Sequence, residues 1–347
     1  MRKVSLGIIF LVVFIDLVGF GIVIPILPYY AKAYGANARE LGWLMAVFSL
    51  MQFLVSPLWG RLSDRIGRKP VLLISLLGTS LSMLVLGFAP SLLWLFIGRT
   101  LAGAGSANIS TAYAYISDVT TEENRAKGMG LIGAAFGLGF IFGPAIGGLL
   151  SPYGYNVPML TGAAMAAVNL VFAALFLQEP PLSAEARSGN RVKRFDFENI
   201  RLTLADPRTR LAVGLFFLVT FAIAQMETTF AIFMLETFGL NARSAGMLLG
   251  FSGLIMVALQ GGLIGRLAKR FGEIKLISFG LIAAAVGLVT FSVSHSVAMV
   301  VLALSILSIG HGTLHPSLSS LASLGAKPSR RGATMGVYQS AGSLARV

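Results

Sequence analysis

Two carboxyl groups, those of Asp16 and Glu227, lie deep inside long apolar stretches of the sequence. An ionisable side chain at membrane depth is costly unless it is paired, protonated or hydrated, so function is the first hypothesis for such residues. A carboxylate in this position can hold a proton or a cationic molecule, but not both comfortably. That competition is a sufficient basis for exchanging a proton for a cation across the membrane. The structural alternative is a carboxyl group that only hydrogen-bonds a neighbouring helix.

Three basic side chains share this apolar environment. Arg99 is effectively always protonated, so it cannot release a proton itself, and a static ion pair is one reading of it. His311 and His315 lie four residues apart on one helix face and titrate near physiological pH, so they are a second candidate for holding a proton. An interhelical hydrogen bond is the simpler reading of the pair. A metal site lacks a third ligand nearby, and we expect no metal and no cofactor.

The elements that hold these groups are predicted to be membrane-spanning helices. Of the 347 residues, 56% are hydrophobic and 12% are charged, whereas soluble domains carry roughly 25% charged residues. Since one crossing needs about 20 apolar residues, ten segments qualify: 5–29, 42–59, 71–89, 92–117, 129–150, 158–178, 211–235, 245–265, 276–293 and 297–323. An eleventh begins near Gly332 and continues to Val347. The runs lack the alternation of a barrel, so we predict an all-α membrane protein.

Composition and charge exclude several classes of protein. The low polarity argues against a soluble enzyme or a disordered chain, and the absence of cysteine excludes disulfides and thiolate sites. With the amino terminus inside, 22 of the 27 Lys and Arg residues fall in cytoplasmic segments. This bias predicts a multi-pass protein of the plasma (inner) membrane with a cytoplasmic amino terminus. It also accounts for the net charge of +13 without a nucleic-acid partner.

The sequence divides into two halves. The only long polar stretch, 179–210, is predicted to be a cytoplasmic linker between a six-helix bundle at 1–178 and a second bundle at 211–347. The loop that begins Gly60-Arg61-Leu62 is echoed 205 residues later by Gly265-Arg266-Leu267. Duplicated halves of this kind are typical of transporters that rock around a central site.

Four motifs rich in glycine or charge stand out: Gly60-x-x-x-Asp64-Arg65-x-Gly67-Arg68-Lys69, Arg99-x-x-x-Gly103-x-Gly105-x-Ala107, Gly139-x-x-x-Gly143-Pro144-x-x-Gly147-Gly148 and Asp16-x-x-Gly19-x-Gly21-x-x-x-Pro25-x-x-Pro28. The first resembles the signature of the major facilitator superfamily between its second and third helices. The second resembles another motif of that family, and by this resemblance Arg99 would tune a nearby carboxyl group or a water path. The third resembles the motif of its drug–proton antiporters, and the fourth that of its twelve-helix drug-efflux group. The resemblance implies the major facilitator fold of two six-helix bundles, with the second bundle truncated in helix 11.

By this resemblance, seven residues form a cytoplasmic gate: Gly60, Asp64, Arg65, Gly67, Arg68, Asp118 and Arg125. Asp118 could pair with Arg68, and the network would break on inward opening. Surface ion pairs are worth about 0–1 kcal/mol each, so a gate of this kind must act as a network. An orientation signal alone is the competing reading.

Two further sets of residues follow from the resemblance. The antiporter motif would pack the fifth helix against the eighth and so restrict leakage, through Gly139, Gly143, Pro144, Gly147 and Gly148. Lipophilic cations suit a cavity of polarizable and aromatic side chains, and the candidate liners are Gln52, Asn108, Gln225, Met226, Phe230, Gln260 and Tyr338.

The surroundings of Glu227 resemble the seventh helix of bacterial multidrug efflux proteins, where the matching glutamate is implicated in proton coupling. Those proteins carry an acid in helix 10, where this sequence has Gly312. Tetracycline efflux proteins carry acids where this sequence has Ser82 and Ala284, which argues against tetracycline as the substrate.

We therefore predict a proton-coupled antiporter, expected to be a monomer, that exports lipophilic compounds and cationic ones in particular. A proton symporter for uptake of a sugar or other metabolite is the alternative on the same scaffold. A membrane enzyme would need a paired nucleophile and base, and a non-transporting sensor would move no protons.

Overall fold

The fold is known from a computed structural model that describes residues 6–106, 108–120, 122–180, 197–325 and 331–346. Within this part of the chain the secondary structure is helical, and it contains no strand. Four predicted site residues, Gly60, Asp64, Asn108 and Arg125, have side chains outside the description. Contacts divide the chain into two compact units, Met1–Arg194 and Phe195–Val347.

The first unit contains seven α-helices in its described part: α1 (Leu6–Ala33), α2 (Ala38–Ile66), α3 (Arg68–Gly87), α4 (Leu92–Gly105), α5 (Asn108–Val119), α6 (Glu122–Leu150) and α7 (Asn156–Phe176). Helix α1 packs against α6 and α7, and α3 packs against α4 and α7. Buried aliphatic side chains of α1 and α3 meet Tyr115 and Ile116 of α5 in a continuous core. Because lipid is as apolar as this core, close packing rather than burial from water must hold the helices together.

The second unit begins with a short helix and continues with six further elements: α8 (Phe197–Ala205), α9 (Pro207–Phe238), α10 (Ala242–Ala258), α11 (Ile264–Phe271), α12 (Glu273–Ser292), α13 (Val297–Gly325) and α14 (Arg331–Ala345). A π-helical turn, Leu259–Leu263, joins α10 to α11. Helix α13 packs against α12, α9 and α10, and α14 packs against α9.

Eight helical stretches in the described residues are long and apolar enough to cross a membrane, and α4 and α10 are shorter apolar helices. The predicted segment 92–117 is not one continuous helix, because it breaks at Ser106 into α4 and α5. Gly103 and Gly105 precede the break, and glycine costs about 1 kcal/mol in a helix relative to alanine. The predicted segment 245–265 is likewise interrupted by the π turn.

The internal echo in the sequence has a structural counterpart at two glycines. Gly67 separates α2 from α3 with φ 104° and ψ 162°, and Gly272 separates α11 from α12 with φ 78° and ψ 160°. Other residues adopt positive φ only at a cost, so the same turn requires glycine in both halves.

Asp206 caps the first turn of α9 and is the basis of one prediction. Its Oδ1 accepts hydrogen bonds from the backbone N–H of Thr209 at 2.8 Å and from the Thr209 hydroxyl at 3.0 Å. The backbone hydrogen bond from Thr209 is the main cause that lowers the pKa of Asp206 below its ordinary value. We expect Asp206→Ala to destabilise the protein by about 0.5–2 kcal/mol, the usual value of such a cap.

The stabilisation by Asp206 should depend on pH in a defined direction. Since the native pKa is lower than the unfolded one, the contribution is complete above the unfolded pKa and is lost as pH falls through the native pKa. Thermal unfolding in detergent at several pH values measures it. Asp206→Asn keeps a capping oxygen without the charge. It should remove the part of the pH dependence that comes from Asp206 and keep most of the stability. Equal unfolding temperatures for wild type and Asp206→Ala would contradict the assignment.

Candidate functional site

Asp16 lies half-buried in α1, on a helix that is held closely by α6. A Cβ atom on Gly139 of α6 would lie 2.6 Å from Cβ of Leu17, the residue after Asp16. A Cβ atom on Gly143 would lie 2.6 Å from Cα of Gly21, and one on Gly147 would lie 2.8 Å from the carbonyl oxygen of Ile22. The glycine face of α6 therefore fixes the helix that carries the carboxyl group.

The antiporter motif has a packing partner inside the first unit. The shared face of Gly139, Gly143 and Gly147 packs on α1, and the expected contact with the eighth membrane helix stays a prediction. Pro144 belongs to the same contact, since its Cδ would lie 3.1 Å from a Cβ on Gly21, while Gly148 is buried beside it. The physical reason is that α1 has its own glycine at the crossing, so the two backbones can approach each other.

Asn169 of α7 holds the same region of α1 from another side. Its Nδ2 donates a hydrogen bond to the carbonyl oxygen of Val12 at 2.8 Å, and the side chain is fully buried. In a regular helix that carbonyl also accepts from the N–H of Asp16, four residues on. Asn169 thus restrains the turn that ends at Asp16. Sequence reasoning missed it, although an amide inside the apolar segment 158–178 was an available signal.

Arg99 of α4 is buried against α2 and not against an acid. Its Cζ lies 4.5 Å from the ring centroid of Phe48, and its Nε donates to the carbonyl oxygen of Leu44 at 3.4 Å. No carboxylate of the described side chains lies within ion-pair distance of it. The static ion pair considered for Arg99 is therefore not present in this part of the structure, and a cation–π contact takes its place.

The motif around Arg68 is joined by two acidic residues. Arg68 Nε donates to Asp118 Oδ2 at 2.8 Å, which is the pairing expected from the sequence, and a second guanidinium nitrogen donates to Ser63 Oγ at 2.6 Å. Glu179 accepts the backbone N–H of Arg68 at 2.6 Å and that of Lys69 at 2.7 Å. These bonds satisfy the free N–H groups at the start of α3. Sequence reasoning missed Glu179, because a lone acid in a polar stretch has no distinguishing pattern. Of the remaining predicted gate residues, Arg65 is exposed.

Aromatic and imidazole rings cluster in the second unit. Phe216 of α9 stacks on Tyr338 of α14 with ring centroids 4.0 Å apart, and the ring of His315 meets the edge of Phe216 at 5.7 Å. His311 follows, with its ring 6.3 Å from that of His315. The predicted histidine pair therefore lies on one face of α13, with His315 against the edge of Phe216, which in turn stacks on Tyr338.

Glu227 lies half-buried further along α9, and a basic residue acts on it and on the histidines. The positive charge of Arg346 interacts electrostatically with Glu227, His311 and His315. Arg346 directly follows the end of α14, the helix that carries Tyr338. The sequence placed Arg346 inside a segment but gave it no role. The structure thus brings a carboxyl group, a guanidinium group and two imidazoles into one electrostatic neighbourhood of the second unit.

The predicted cavity liners differ in their surroundings. Gln52 donates to Ser106 Oγ at 2.7 Å, and Gln260 reaches the carbonyl oxygen of Gly312 at 3.5 Å. Gln225 is exposed, while Met226 is buried. Phe230 was expected to line a cavity but has no exposed surface. It stacks on Phe291 with ring centroids 5.8 Å apart, as a core residue does. Tyr338 is also fully buried, in the stack with Phe216 described above.

The sequence profile of the Major Facilitator Superfamily matches residues 9–347, nearly the whole chain. The chain belongs to this superfamily. Among its relatives, Tetracycline resistance protein, class E, of Escherichia coli is 34% identical over 339 residues, covering 95% of this chain and 82% of the relative. Multidrug resistance protein 2 of Bacillus subtilis (strain 168) is 30% identical over 311 residues, covering 89% and 78% of the two chains.

A comparison with a solved structure supports the same family assignment. The human organic anion transporter MFSD10 (TETRAN) superposes with a TM-score of 0.74 at 25% identity, covering 99% of this chain and 91% of that one. This member of the major facilitator superfamily is therefore an all-α, multi-pass membrane transporter with the fold of that family. Proteins of the superfamily carry small molecules and are not enzymes.

In this major facilitator protein, the pair of Arg68 and Asp118 should contribute modestly to stability. Both side chains are partly exposed, at 14% and 24%, and measured pairs of this kind contribute about 0.2–1 kcal/mol. A double-mutant cycle with Arg68→Gln and Asp118→Asn, followed by thermal unfolding, should give a coupling in that range. Ser63→Ala controls for the second hydrogen bond of Arg68. A coupling of several kcal/mol would show that the pair is not a solvent-screened contact.

Proposed function

We propose that this transporter exports lipophilic compounds, cationic ones in particular, in exchange for protons by alternating access. The observation that carries the proposal is one carboxyl group in a membrane-spanning helix of each compact unit, Asp16 in α1 and Glu227 in α9. The names of the relatives, which are multidrug and tetracycline resistance proteins, support export of drugs.

The proposed exchange follows from competition for a carboxylate. On the outward-facing side, a proton reaches Asp16 or Glu227 and displaces a bound cation. On the inward-facing side, the proton leaves and a new cation takes its place. A pH difference of one unit is worth about 1.4 kcal/mol per proton, so one proton exchanged for one monovalent cation can sustain about a ten-fold gradient.

The surroundings of the two carboxyl groups suit different parts of this cycle. Asp16 lies on a helix that α6 and Asn169 hold in place, which favours a fixed binding position. Glu227 shares its surroundings with Arg346, whose positive charge competes with a proton or a cation for the carboxylate. His311 and His315 are further groups that can hold a proton in the second unit.

Tetracycline is disfavoured as the substrate by two packed positions. Ser82 is fully buried, and its hydroxyl donates to the carbonyl oxygen of Thr79 at 2.9 Å. Ala284 lies where α12 crosses α13, since a Cβ on Gly310 would lie 2.5 Å from its backbone nitrogen. Neither position offers the carboxyl group that the resemblance to tetracycline efflux proteins would require.

Several structural assignments complete the proposal. The amino terminus and the segment 179–210 lie in the cytoplasm, the six-helix bundle at 1–178 and the bundle at 211–347 rock against each other, and the protein acts as a monomer. The pair of Arg68 and Asp118 belongs to a gate that holds the cytoplasmic side closed, together with Glu179.

Inside-out membrane vesicles with an acidic lumen test the function. Addition of a lipophilic cation should release protons from the lumen, because the cation enters as protons leave. Simple sugars and tetracycline are added in separate trials. A sugar that moves protons, where the cations do not, would favour the symporter. Absence of proton movement with all compounds would contradict proton-coupled transport of the classes tested.

A further inference from the structure

The two halves of the chain repeat a helix–turn–helix unit with a small difference in length. Helices α3 and α12 both have 20 residues and begin directly after Gly67 and Gly272, which are 205 residues apart. At the other end of the unit, Asn37 and Asn241 cap α2 and α10 through their side chains, and they are 204 residues apart. The second half therefore contains one extra residue between its cap and its turn.

The π turn accommodates this extra residue. Helix α2 has 29 residues without interruption, whereas its counterpart runs from Ala242 to Phe271, one residue more. In the turn Leu259–Leu263, the N–H of Ile264 bonds to the carbonyl oxygen of Leu259, five residues back. A π turn inserts a residue without ending the helix, and such turns are frequent at functional sites. The insertion is therefore confined to one place in one half.

The inserted turn faces α13 through Gln260. The side-chain amide of Gln260 is half-buried, and its one hydrogen bond to a described residue goes to the carbonyl oxygen of Gly312 at 3.5 Å, the long limit for such a bond. A Cβ on Gly312 would meet only ordinary contacts, with Leu259 and Met256 at 3.7 Å. Crowding therefore does not require the glycine.

The first unit also has a glutamine contact at an interrupted helix, although the 204-residue offset aligns Gln52 with Met256 and not with Gln260. Gln52 of α2 donates to Ser106 Oγ at 2.7 Å, where α4 gives way to α5. In each unit a glutamine side chain therefore makes its contact at an interrupted helix. In the first unit the interruption is the end of α4, and in the second it is the π turn. Irregular backbone at membrane depth is tolerated only where protein buries it or where it lines a water-filled cavity. The loosely bonded glutamine of the pair is Gln260.

We propose that the π turn Leu259–Leu263 forms a hydrogen-bonding subsite for the transported molecule, in which the Gln260 amide exchanges its weak bond to Gly312 for an acceptor oxygen of the substrate. The substrates selected in this way are lipophilic cations that carry a carbonyl or ether oxygen. This inference rests on the proposed export of lipophilic cations and adds a determinant of specificity to it.

Two phosphonium ions that differ by one acceptor group test the subsite. Tetraphenylphosphonium has no hydrogen-bonding oxygen, and acetylphenyl-triphenylphosphonium has one carbonyl oxygen. In binding to the purified chain in nanodiscs, wild type should prefer the acetyl compound by about five-fold, the usual value of one hydrogen bond. Gln260→Leu should abolish the preference, so that the variant binds the two ions equally. Gln178→Leu, a glutamine whose backbone rather than side chain makes the observed contact with Tyr115, should keep the preference.

Deletions test the inserted residue through folding as well as through binding. Deletion of Gly262 should convert the π turn to α-helix, give folded protein and abolish the preference for the acetyl compound. Deletion of Leu50 from α2, which has no extra residue, should prevent folding. If neither deletion variant folded, the assignment of an extra residue to the π turn would be wrong. If Gln260→Leu weakened the binding of both ions equally, the proposed subsite alone would be wrong. If wild type bound neither ion, the proposed substrate class would fail together with the inference.

Discussion

Gly143→Val is expected to eliminate most folded protein. A Cβ atom at Gly143 would lie 2.6 Å from Cα of Gly21 and 2.7 Å from the carbonyl oxygen of Val18. Both are backbone atoms of α1 and cannot rotate away, so the two helices must separate. Overpacking typically costs 1–3 kcal/mol. We expect about 3 kcal/mol here, because the added side chain would overlap backbone atoms that cannot move without separating the helices.

The same helix supplies a matched control for this prediction. A Cβ on Gly133 of α6 would meet nothing within 4 Å, so Gly133→Val should leave the protein close to wild type. The fraction of monodisperse protein after detergent extraction and the midpoint of thermal unfolding measure the difference. Gly143→Ala should fall between the two valine variants. If Gly143→Val behaved like Gly133→Val, the close crossing of α1 and α6 would be wrong.

Neutralising either buried carboxyl group should abolish coupling while the protein remains folded. Asp16→Asn and Glu227→Gln keep nearly the same shape but cannot exchange a proton for a cation. Under a pH gradient of one unit, an electroneutral one-for-one exchange can sustain about a ten-fold substrate gradient, since 1.4 kcal/mol corresponds to a factor of ten. We expect that gradient in wild type and none in either variant. Accumulation of a radiolabelled quaternary cation in proteoliposomes measures it.

Glu236→Gln provides the control for these substitutions. Glu236 is on the same helix as Glu227 but is exposed, so its neutralisation should leave the ten-fold gradient in place. Coupling that survived both Asp16→Asn and Glu227→Gln would remove both carboxyl groups from the proton pathway. His311 and His315 would then be the next groups to test.

Features that depend on local sequence were predictable. Long apolar segments gave the helices, because each must cross the same thickness of hydrocarbon. The pair of Arg68 and Asp118 followed from the resemblance of a local motif to that of a known family. The echo of that motif 205 residues later was visible as well, because it depends only on residue type and spacing.

Features that depend on how surfaces fit were not predictable. A glycine stripe on α6 indicates close packing, but its partner, α1, is selected by the shape of the opposing helix at Gly21. Glu179 caps α3 from a distant part of the sequence, which no local pattern reveals. The break at Ser106 and the π turn are interruptions inside uniformly apolar runs, where hydropathy carries no signal. The π turn becomes visible only as a one-residue difference between two repeats.

The most direct test of proton–substrate antiport uses a substrate gradient alone to move protons. Purified protein is reconstituted in liposomes loaded with a quaternary lipophilic cation, which cannot carry a proton itself, and the membrane voltage is clamped with potassium and valinomycin. After dilution into cation-free buffer at equal pH, antiport predicts that the lumen becomes acidic as the cation leaves, beyond any change in protein-free liposomes. A lumen that becomes alkaline would show symport, and an unchanged lumen pH during protein-dependent cation efflux would show transport without protons. Either result would contradict the proposed mechanism.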